Sequence, residues 1–462
     1  MSMLTETVAA ISTPYGKGGI ATIRISGSDA LPVAQRVFFP KNQKPLGENP
    51  PRKVLFGAIF ADGVQIDTGV AVYFAAPHSF TGEDTVEISC HGGILLTQMV
   101  LESVFAAGAV PAPAGEFTRR AFENGKLDLV QAEAVIDLID AQSREKIKLA
   151  SANSQGVFSR ATAQIREELS TLLASTCAAV DFPDEDLTTV DAAELADRLQ
   201  QLDAHLADLL ATYRAGHAIA EGIPTILLGK PNTGKSSLLN AFLGEERAIV
   251  TAEAGTTRDT IEETVCVGRV QLRLCDTAGI RRAQGVEGMG VARAKEKLKE
   301  AELVLAVFDA NAPLDAQDAE IFDLLTEAHA RQSTVLAVLN KSDLPMCLCE
   351  AELAAHLPEG TPLVLCSAKQ DIGALREQIE ALYQTGTLAY GDAIVSNARH
   401  FAALTRTREA VFRAREALKA GFTQDVAGFD LQDALGALCE VDGRAVSEEI
   451  VSGIFARFCV GK

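Results

Sequence analysis

The sequence predicts a multidomain chain that combines α/β and helical architecture. Its 462 residues fit about three domains, and a hydrophobic content of 47% supports packed cores. Apolar strand-like runs alternate with helical patterns through residues 219–384, which is typical of an α/β domain with a mixed, mostly parallel sheet. Leucines at helical spacing from Leu195 to Leu209 predict a helical stretch before it.

Four stretches can be assigned along the chain. Short strand-like runs punctuated by Pro and Gly predict a small α+β domain at the N-terminus, and helical spacing flanks the α/β domain on both sides. Because helical stretches flank a compact domain, we expect the α/β domain to be inserted into one helical domain. The predicted boundaries are 1–126 (α+β), 127–218 (helical, first part), 219–384 (α/β) and 385–462 (helical, second part).

Residues 229–236 read Gly-Lys-Pro-Asn-Thr-Gly-Lys-Ser, which matches the phosphate-binding P-loop. An apolar strand, 224–228, precedes the loop and a helical pattern follows it, which is the context that this motif requires. Backbone N–H groups and the helix N-terminus bind phosphate oxygens in such loops. Lys235 would then reach the β- and γ-phosphates, and the Ser236 hydroxyl would bind Mg²⁺.

Three further nucleotide motifs follow in the order expected of a Ras-like P-loop GTPase. Asp-Thr-Ala-Gly at 276–279 can contact Mg²⁺ and the γ-phosphate, and Cys-Ser-Ala-Lys at 366–369 can close over a base. In Asn-Lys-Ser-Asp at 340–343, the Asp343 carboxylate can accept two hydrogen bonds from guanine, whereas adenine lacks that donor pair. The predicted GTP-binding residues are Asn232, Thr233, Gly234, Lys235, Ser236, Ser237, Thr251, Thr256, Thr257, Asp276, Thr277, Ala278, Gly279, Asn340, Lys341, Asp343, Ser367, Ala368 and Lys369.

Two segments between these motifs contain candidates for binding the metal ion and for positioning the attacking water. Thr256 and Thr257 fall where one threonine usually completes the Mg²⁺ shell, and the sequence leaves the choice open. We favour Thr257 with Ser236 for Mg²⁺, which leaves Thr256 for the phosphates or a second cation. A Ras-like site has a glutamine where this chain has Ile280, so Glu287 is the candidate for positioning water. The alternative is a solvated loop glutamate.

Charge and composition limit the classes of function that this chain can have. A net charge of −20 argues against a tight, salt-sensitive grip on nucleic acid by this chain alone. Nine scattered cysteines predict no disulfide framework. No run of about 18 apolar residues and no signal-peptide pattern occurs, so we expect a cytoplasmic location. The basic run within 406–419 could contact RNA or form a solvated helix face.

Several long blocks resemble the tRNA-modification GTPases of the MnmE (TrmE) type, and the resemblance spans the whole chain. Three blocks lie in the nucleotide motifs, at 230–232, 255–259 and 276–281. The others lie at 18–27, at 79–87 with 91–93, at 115–129, and at the terminal Cys-Val-Gly-Lys of 459–462.

The resemblance implies a K⁺-stimulated GTPase that acts with an FAD-containing partner of the MnmG (GidA) type. The pair would install an aminomethyl-type (carboxymethylaminomethyl) group at carbon 5 of the wobble uridine of certain tRNAs, with GTP hydrolysis driving conformational switching. It further implies a homodimer formed through the N-terminal domain, a heterotetramer or larger complex with the partner, and tRNA held mainly by that partner.

The resemblance also implies ligand sites. A folate-binding-like N-terminal domain would bind 5-formyltetrahydrofolate or a related tetrahydrofolate. The family positions carried over are Asn232, Thr251, Glu253 and Thr256 for K⁺; Arg24, Glu87, Lys126 and Lys462 for the folate; and Glu287 and Cys459 for catalysis. The Cys459 thiol, on what we expect to be a flexible tail, could act as nucleophile or general acid, or be merely exposed.

Two other functions fit the motifs. One is a ribosome- or RNA-binding GTPase switch without modification chemistry, although such a switch needs neither the folate-like blocks nor the terminal Cys-Val-Gly-Lys. The other is a folate-dependent one-carbon transferase with a regulatory GTPase.

Overall fold

The computed structural model describes residues 6–181, 191–245, 263–274, 296–384, 388–389 and 391–462. The chain forms two compact units, and each contains a β-sheet and helices. The multidomain architecture with mixed sheets and a helical part is therefore confirmed. The first unit comprises Met1–Ile136, Ser154–Ser159 and Cys439–Lys462, and the second comprises Asp137–Asn153 and Arg160–Leu438.

A seven-stranded sheet forms the centre of the first unit, in the order β3-β4-β5-β6-β2-β1-β7. All neighbouring strands are antiparallel except β1 and β7, which are parallel. Alternate residues of β4 are buried, because successive side chains of a strand point to opposite faces. The strands are β1 Val8–Ile11, β2 Ile20–Ser26, β3 Phe38–Pro40, β4 Leu55–Ala61, β5 Val64–Phe74, β6 Thr85–His91 and β7 Val110–Pro111.

Residues distant in sequence complete this unit. Two helices, α1 and α2, pack on the sheet, and a smaller cluster joins Leu129 and Ala132 to Val451, Phe455 and Phe458. The chain after residue 439 therefore shares a core with the N-terminal residues. The helices that lie wholly or partly in this unit, apart from short ends of α5 and α6 given below, are α1 Ala30–Val37, α2 Ile94–Ala106, α3 Glu116–Glu123, α4 Leu129–Ile139, α14 Gln424–Asp442 and α15 Glu448–Phe455; a 3₁₀ turn spans Leu46–Glu48.

A six-stranded sheet, in the order β13-β12-β11-β8-β10-β9, lies in the second unit. Only the β9–β10 pair is antiparallel, which confirms a mixed, mostly parallel sheet. Leu305 and Val307 join one hydrophobic cluster while Val304 and Ala306 join another, so the sheet is covered on both faces. The strands are β8 Ile223–Leu228, β9 Glu263–Val267, β10 Val270–Leu274, β11 Leu303–Asp309, β12 Thr334–Asn340 and β13 Leu363–Leu365.

Helices make up the rest of the second unit. The leucines from Leu195 to Leu209 are buried on one stripe of α7, as their spacing predicts, and α13 packs on α7. Among the described helices, none has the length and apolar composition needed to cross a bilayer. The bounds are α5 Arg144–Ser154, α6 Val157–Asp181, α7 Ala192–Ala211, α8 Tyr213–Ala220, α9 Lys235–Glu245, α10 Ala316–Ala330, α11 Glu350–Ala354, α12 Gly373–Tyr383 and α13 Ala398–Lys419.

Candidate functional site

Three predicted nucleotide loops follow the carboxyl ends of β8, β12 and β13. Because these strands are parallel, their loops meet at one edge of the sheet, which is where ligands bind in α/β folds. The described part of the chain therefore brings the phosphate loop and both predicted base loops together. Outside the described residues lie Thr251, Glu253, Thr256, Thr257, Asp276, Thr277, Ala278, Gly279, Ile280 and Glu287.

The P-loop backbone forms a tight cradle between β8 and α9. A Cβ atom at Gly234 would lie 2.1 Å from the Asn340 Nδ2 atom, and one at Gly229 would lie 2.3 Å from the Val307 carbonyl oxygen. Asn232 has φ 64°, in the left-handed region that non-glycine residues adopt uncommonly. Since α9 begins at Lys235, the N-terminal end of this helix lies at the cradle. The loop has the form needed to bind phosphate.

The Lys235 amine lies over this loop. Its Nζ donates to the carbonyl oxygens of Gly229 at 2.7 Å and Lys230 at 2.8 Å. Burial lowers the pKa of Lys235 to about 8, because removal from water disfavours the charged form. An anion bound at the loop would favour the charged amine again.

Asn340 links the three loops. Its buried side chain donates from Nδ2 to the Thr233 carbonyl oxygen at 2.9 Å, and its Oδ1 accepts from the Ala368 N–H at 2.9 Å. One amide thus ties the P-loop to the loops that follow β12 and β13. Sequence reasoning assigned Asn340 to the nucleotide, and the structure shows this linking contact in addition.

The carboxylate expected to recognise guanine lies on the exposed side of these loops. The Ser367 hydroxyl donates to Asp343 Oδ1 at 2.6 Å, and this hydrogen bond lowers the pKa of Asp343. Lys341 has φ 66°, and its Nζ pairs with Asp309 Oδ2 at the end of β11. The Asp343 carboxylate is thus ionised and held in place to accept hydrogen bonds.

Two of the predicted folate residues face each other in the first unit. Arg24 of β2 is opposite Glu87 of β6, and their side chains pair at 2.9 Å between Nε and Oε1. The Arg24 guanidinium also lies over two aromatic rings, 5.4 Å from the centre of Phe80 and 5.5 Å from that of Phe117. Sequence reasoning named neither phenylalanine as a site residue, since neither spacing nor residue type reveals that the β5–β6 connection and α3 both meet Arg24.

Lys462 approaches the same group through the backbone. Its carbonyl oxygen accepts from the Phe117 N–H at 3.2 Å, and Val460 forms an antiparallel bridge with Ala114. Gly461 has φ 97°, and a Cβ there would lie 2.1 Å from the Ile11 carbonyl oxygen. The terminal segment is therefore packed against the N-terminal residues, in contrast to the flexible tail expected from the sequence.

The remaining predicted residues of this unit lie at its surface. Lys126 Nζ donates to the Pro77 carbonyl oxygen at 3.0 Å, which brings it to the segment that carries Phe80. The Cys459 thiol is free and exposed. Arg24, which pairs with Glu87, and Lys462 thus both contact Phe117, and Lys126 lies on a neighbouring segment.

The basic run on α13 pairs with carboxylates of the same unit. Arg408 and Arg415 contact Asp203 at 2.7 and 3.4 Å, and Arg413 contacts Asp430 at 2.8 Å. These pairs reduce the positive charge offered to a partner and favour the helix-face interpretation over an RNA contact.

Comparison with known proteins identifies similar sequences along the whole chain. The family model described as "GTP-binding protein TrmE N-terminus" matches residues 7–126, and that of the "MnmE helical domain" matches residues 129–459. The chain is 39% identical to the tRNA modification GTPase MnmE of Natranaerobius thermophilus, with both chains fully covered. It is 42% identical to the protein of that name from Symbiobacterium thermophilum, over 99% of each chain. With the protein of that name from Clostridioides difficile it shares 37% identity over 99% of this chain and all of the other.

Proposed function

This chain belongs to the MnmE family of tRNA modification GTPases, and from that premise we propose that it hydrolyses GTP to GDP and phosphate in the modification of tRNA. The observation that carries the proposal is the Asn340 side chain, which joins the phosphate loop to both loops expected to hold guanine. The second-unit sheet is accordingly proposed to be the core of a Ras-like GTPase domain inserted in a helical domain, with the boundaries predicted from the sequence.

Each motif predicted from the sequence has a role in this proposal. The P-loop N–H groups and Lys235 bind the β- and γ-phosphates, and Asp343 accepts hydrogen bonds from guanine. Ser236 and Thr257 would hold Mg²⁺, which would supply positive charge to neutralise the phosphate oxygens. Glu287 orients the attacking water.

Nucleotide selectivity tests the guanine site. We expect the wild-type chain to hydrolyse GTP and to leave ATP unchanged. In Asp343→Asn, the paired acceptor for guanine is lost, so kcat/KM for GTP should fall by roughly 10²-fold or more. Xanthosine triphosphate should become the better substrate, because an amide can donate to the carbonyl that replaces the guanine amine. An Asp343→Asn chain that hydrolyses GTP like the wild type would exclude this role.

The proposed modification lies at carbon 5 of the wobble uridine, where a carboxymethylaminomethyl-type group is installed together with an FAD-containing partner of the MnmG (GidA) type. Nucleoside mass spectrometry on tRNA from cells that lack the gene tests this. The modification should be lost, restored by the wild-type gene, and not restored by Cys459→Ser. If the modification survives deletion, a ribosome- or RNA-binding switch replaces it as the proposal.

A potassium ion is proposed to lie beside the nucleotide, held by Asn232 together with Thr251, Glu253 and Thr256. There it would stabilise charge that develops between the phosphates. Hydrolysis should be much faster in KCl than in NaCl. Asn232→Gly removes the side-chain oxygen while tolerating the φ of 64°, so this variant should lose the preference. Asn240→Ala, at an exposed position of α9, is the control that should keep it. Equal wild-type rates in both salts would exclude the ion.

A tetrahydrofolate carrying a one-carbon group is proposed to bind at Arg24, Glu87, Lys126 and Lys462. A carboxylate can accept from the N–H donors of a pterin ring, and the basic groups can meet the glutamyl carboxylates. Calorimetry with 5-formyltetrahydrofolate on the full chain should detect binding. Arg24→Gln should weaken it at least about tenfold, the usual scale for a charge-assisted contact. Arg119→Gln, which breaks ion pairs with Glu123 and Glu448 in the same unit, should not.

The proposed assembly is a homodimer formed through the N-terminal domain, which joins the partner in a heterotetramer or larger complex in the cytoplasm. The net charge of −20 supports a partner that holds most of the tRNA. Light scattering should give twice the chain mass of 49.0 kDa. Binding of tRNA by the isolated dimer as tightly as by the complex would contradict this division of roles.

A further inference from the structure

Lys230, a P-loop residue to which the proposed function gives no role, lies between two carboxylates. Its Nζ donates to Asp318 Oδ2 at 2.7 Å and to Asp315 Oδ2 at 2.9 Å. The Lys230 side chain is 13% exposed and that of Asp318 is 2% exposed, whereas Asp315 is 54% exposed. The Asp318 contact is therefore the strong one, since exposed ion pairs contribute little.

The two carboxylates are oriented by the start of α10. Asp318 Oδ2 also accepts from the Asp315 N–H at 2.9 Å, and Asp315 Oδ1 accepts from the Gln317 N–H at 2.9 Å, which forms a capping box. Burial alone would lower the pKa of Lys230, but the hydrogen bonds to Asp318 and Asp315 outweigh it and raise the pKa. The lysine is thus charged and held by an acceptor that cannot move without breaking a helix cap.

The backbone of Lys230 organises the loop. Its carbonyl oxygen accepts from Lys235 Nζ at 2.8 Å and from the Thr233 hydroxyl at 3.1 Å. Fixing the Lys230 side chain on α10 therefore fixes the peptide group that positions the phosphate-binding lysine.

We propose that Lys230 and Asp318 form a positioning pair that holds the P-loop on the N-terminus of α10 and thereby slows nucleotide release. This inference rests on the proposed binding of guanine nucleotide. We assign neither side chain a contact with the nucleotide, because both act through the geometry of the loop.

The test measures how fast GDP with a fluorescent label on its ribose dissociates from the full chain. Stopped flow follows this release. Lys230→Met and Asp318→Asn should each speed release roughly tenfold, since each removes one partner of a largely desolvated pair. The double variant should release no faster than the faster single variant, because both substitutions break the same contact. Lys230→Arg keeps the positive charge, so this variant should release labelled GDP at the wild-type rate.

A matched control and a second readout separate positioning from general destabilisation. Arg415→Met breaks an ion pair with Asp203 on the helices α7 and α13, where Arg415 is also 13% exposed, and should leave release unchanged. At saturating GTP, Lys230→Met should keep kcat within about twofold while KM rises, as expected when binding rather than the chemical step is altered. Asp318→Asn can still accept from the Asp315 N–H, so it provides the test if Lys230→Met does not fold.

Two results would overturn the inference alone: a wild-type release rate in Lys230→Met, or effects of the two single variants that multiply in the double variant. A wild-type chain that binds no guanine nucleotide would overturn the proposed function and this pair with it, so the two failures are distinguishable.

Discussion

The two candidate ligand sites are built in opposite ways. The nucleotide site of the second unit comes from loops at neighbouring strand ends of one parallel sheet, tied together by Asn340. The Arg24 site of the first unit joins two antiparallel strands, the first turn of α3 and the terminal residue Lys462. The first is formed by loops at one edge of a single sheet, whereas the second also needs the terminal segment, which packs against Ile11 and Phe117.

This difference predicts which changes damage which site. The geometry of the nucleotide loops depends on a few backbone positions and on the Asn340 amide. Single substitutions in the second unit should therefore abolish nucleotide binding and spare the proposed folate site. The Arg24 site depends on packing of the terminal segment, so a substitution at a residue that has no side chain in the site should disrupt it.

The largest expected effect separates the sites most clearly. Lys235→Ala removes the amine that lies over the P-loop, so kcat/KM for GTP should fall roughly 10²- to 10³-fold, the scale of losing one preorganised donor to a phosphate. Folate binding by the same chain, measured by calorimetry, should equal that of the wild type. Loss of both GTP turnover and folate binding in Lys235→Ala would show that the two sites are not independent.

The reverse experiment uses Gly461. A valine there would need φ 97° and would bring its Cβ to about 2 Å from the Ile11 carbonyl oxygen, so the terminal segment should detach. Folate affinity should fall by roughly tenfold to 10²-fold, because Lys462 leaves Phe117, while GTP turnover stays unchanged. Gly453→Ala, which meets nothing within 4 Å, is the matched control. Unaltered folate binding in Gly461→Val would remove Lys462 from the site.

Asn340→Ala tests the link between the nucleotide loops. The Thr233 carbonyl and the Ala368 N–H each lose a partner, so the free energy of unfolding of the second unit should fall by about 2 kcal/mol. Urea titration measures this. Asn311→Ala removes an exposed hydrogen bond to Pro345 and should cost less than about 0.5 kcal/mol. Equal losses of unfolding free energy in Asn340→Ala and Asn311→Ala would mean that the Asn340 hydrogen bonds do not stabilise the link between the loops.

The smallest expected effect is the uptake of protons when nucleotide binds. With a pKa of about 8, Lys235 is partly neutral in the free chain, and bound phosphate favours its charged form. Nucleotide binding should therefore take up about a tenth of a proton at pH 7 and about nine tenths at pH 9. Calorimetry in buffers of different ionisation enthalpy measures the uptake. Proton release at pH 9, or no change with pH, would contradict a lowered Lys235 pKa.

The sequence predicted more of the nucleotide site than of the Arg24 site. The P-loop, the strand ends and the mostly parallel sheet follow from contiguous motifs, because one short segment carries both the phosphate contacts and the backbone form. The Asp318 partner of Lys230 and the rings around Arg24 could not be predicted, since they depend on how separate elements meet. Helical spacing likewise predicted helices near the terminus but not that they share a core with residues 129–132.

That shared core has a consequence for how the chain is made. The apolar faces of Leu129 and Ala132 are covered by Val451, Phe455 and Phe458, which a ribosome adds only after the whole second unit. At about 5–20 residues per second, those faces stay uncovered for roughly 15 s to 1 min of synthesis. We therefore expect chaperones that bind exposed apolar surface to engage the nascent first unit, whereas the second unit has all of its residues available as soon as they emerge.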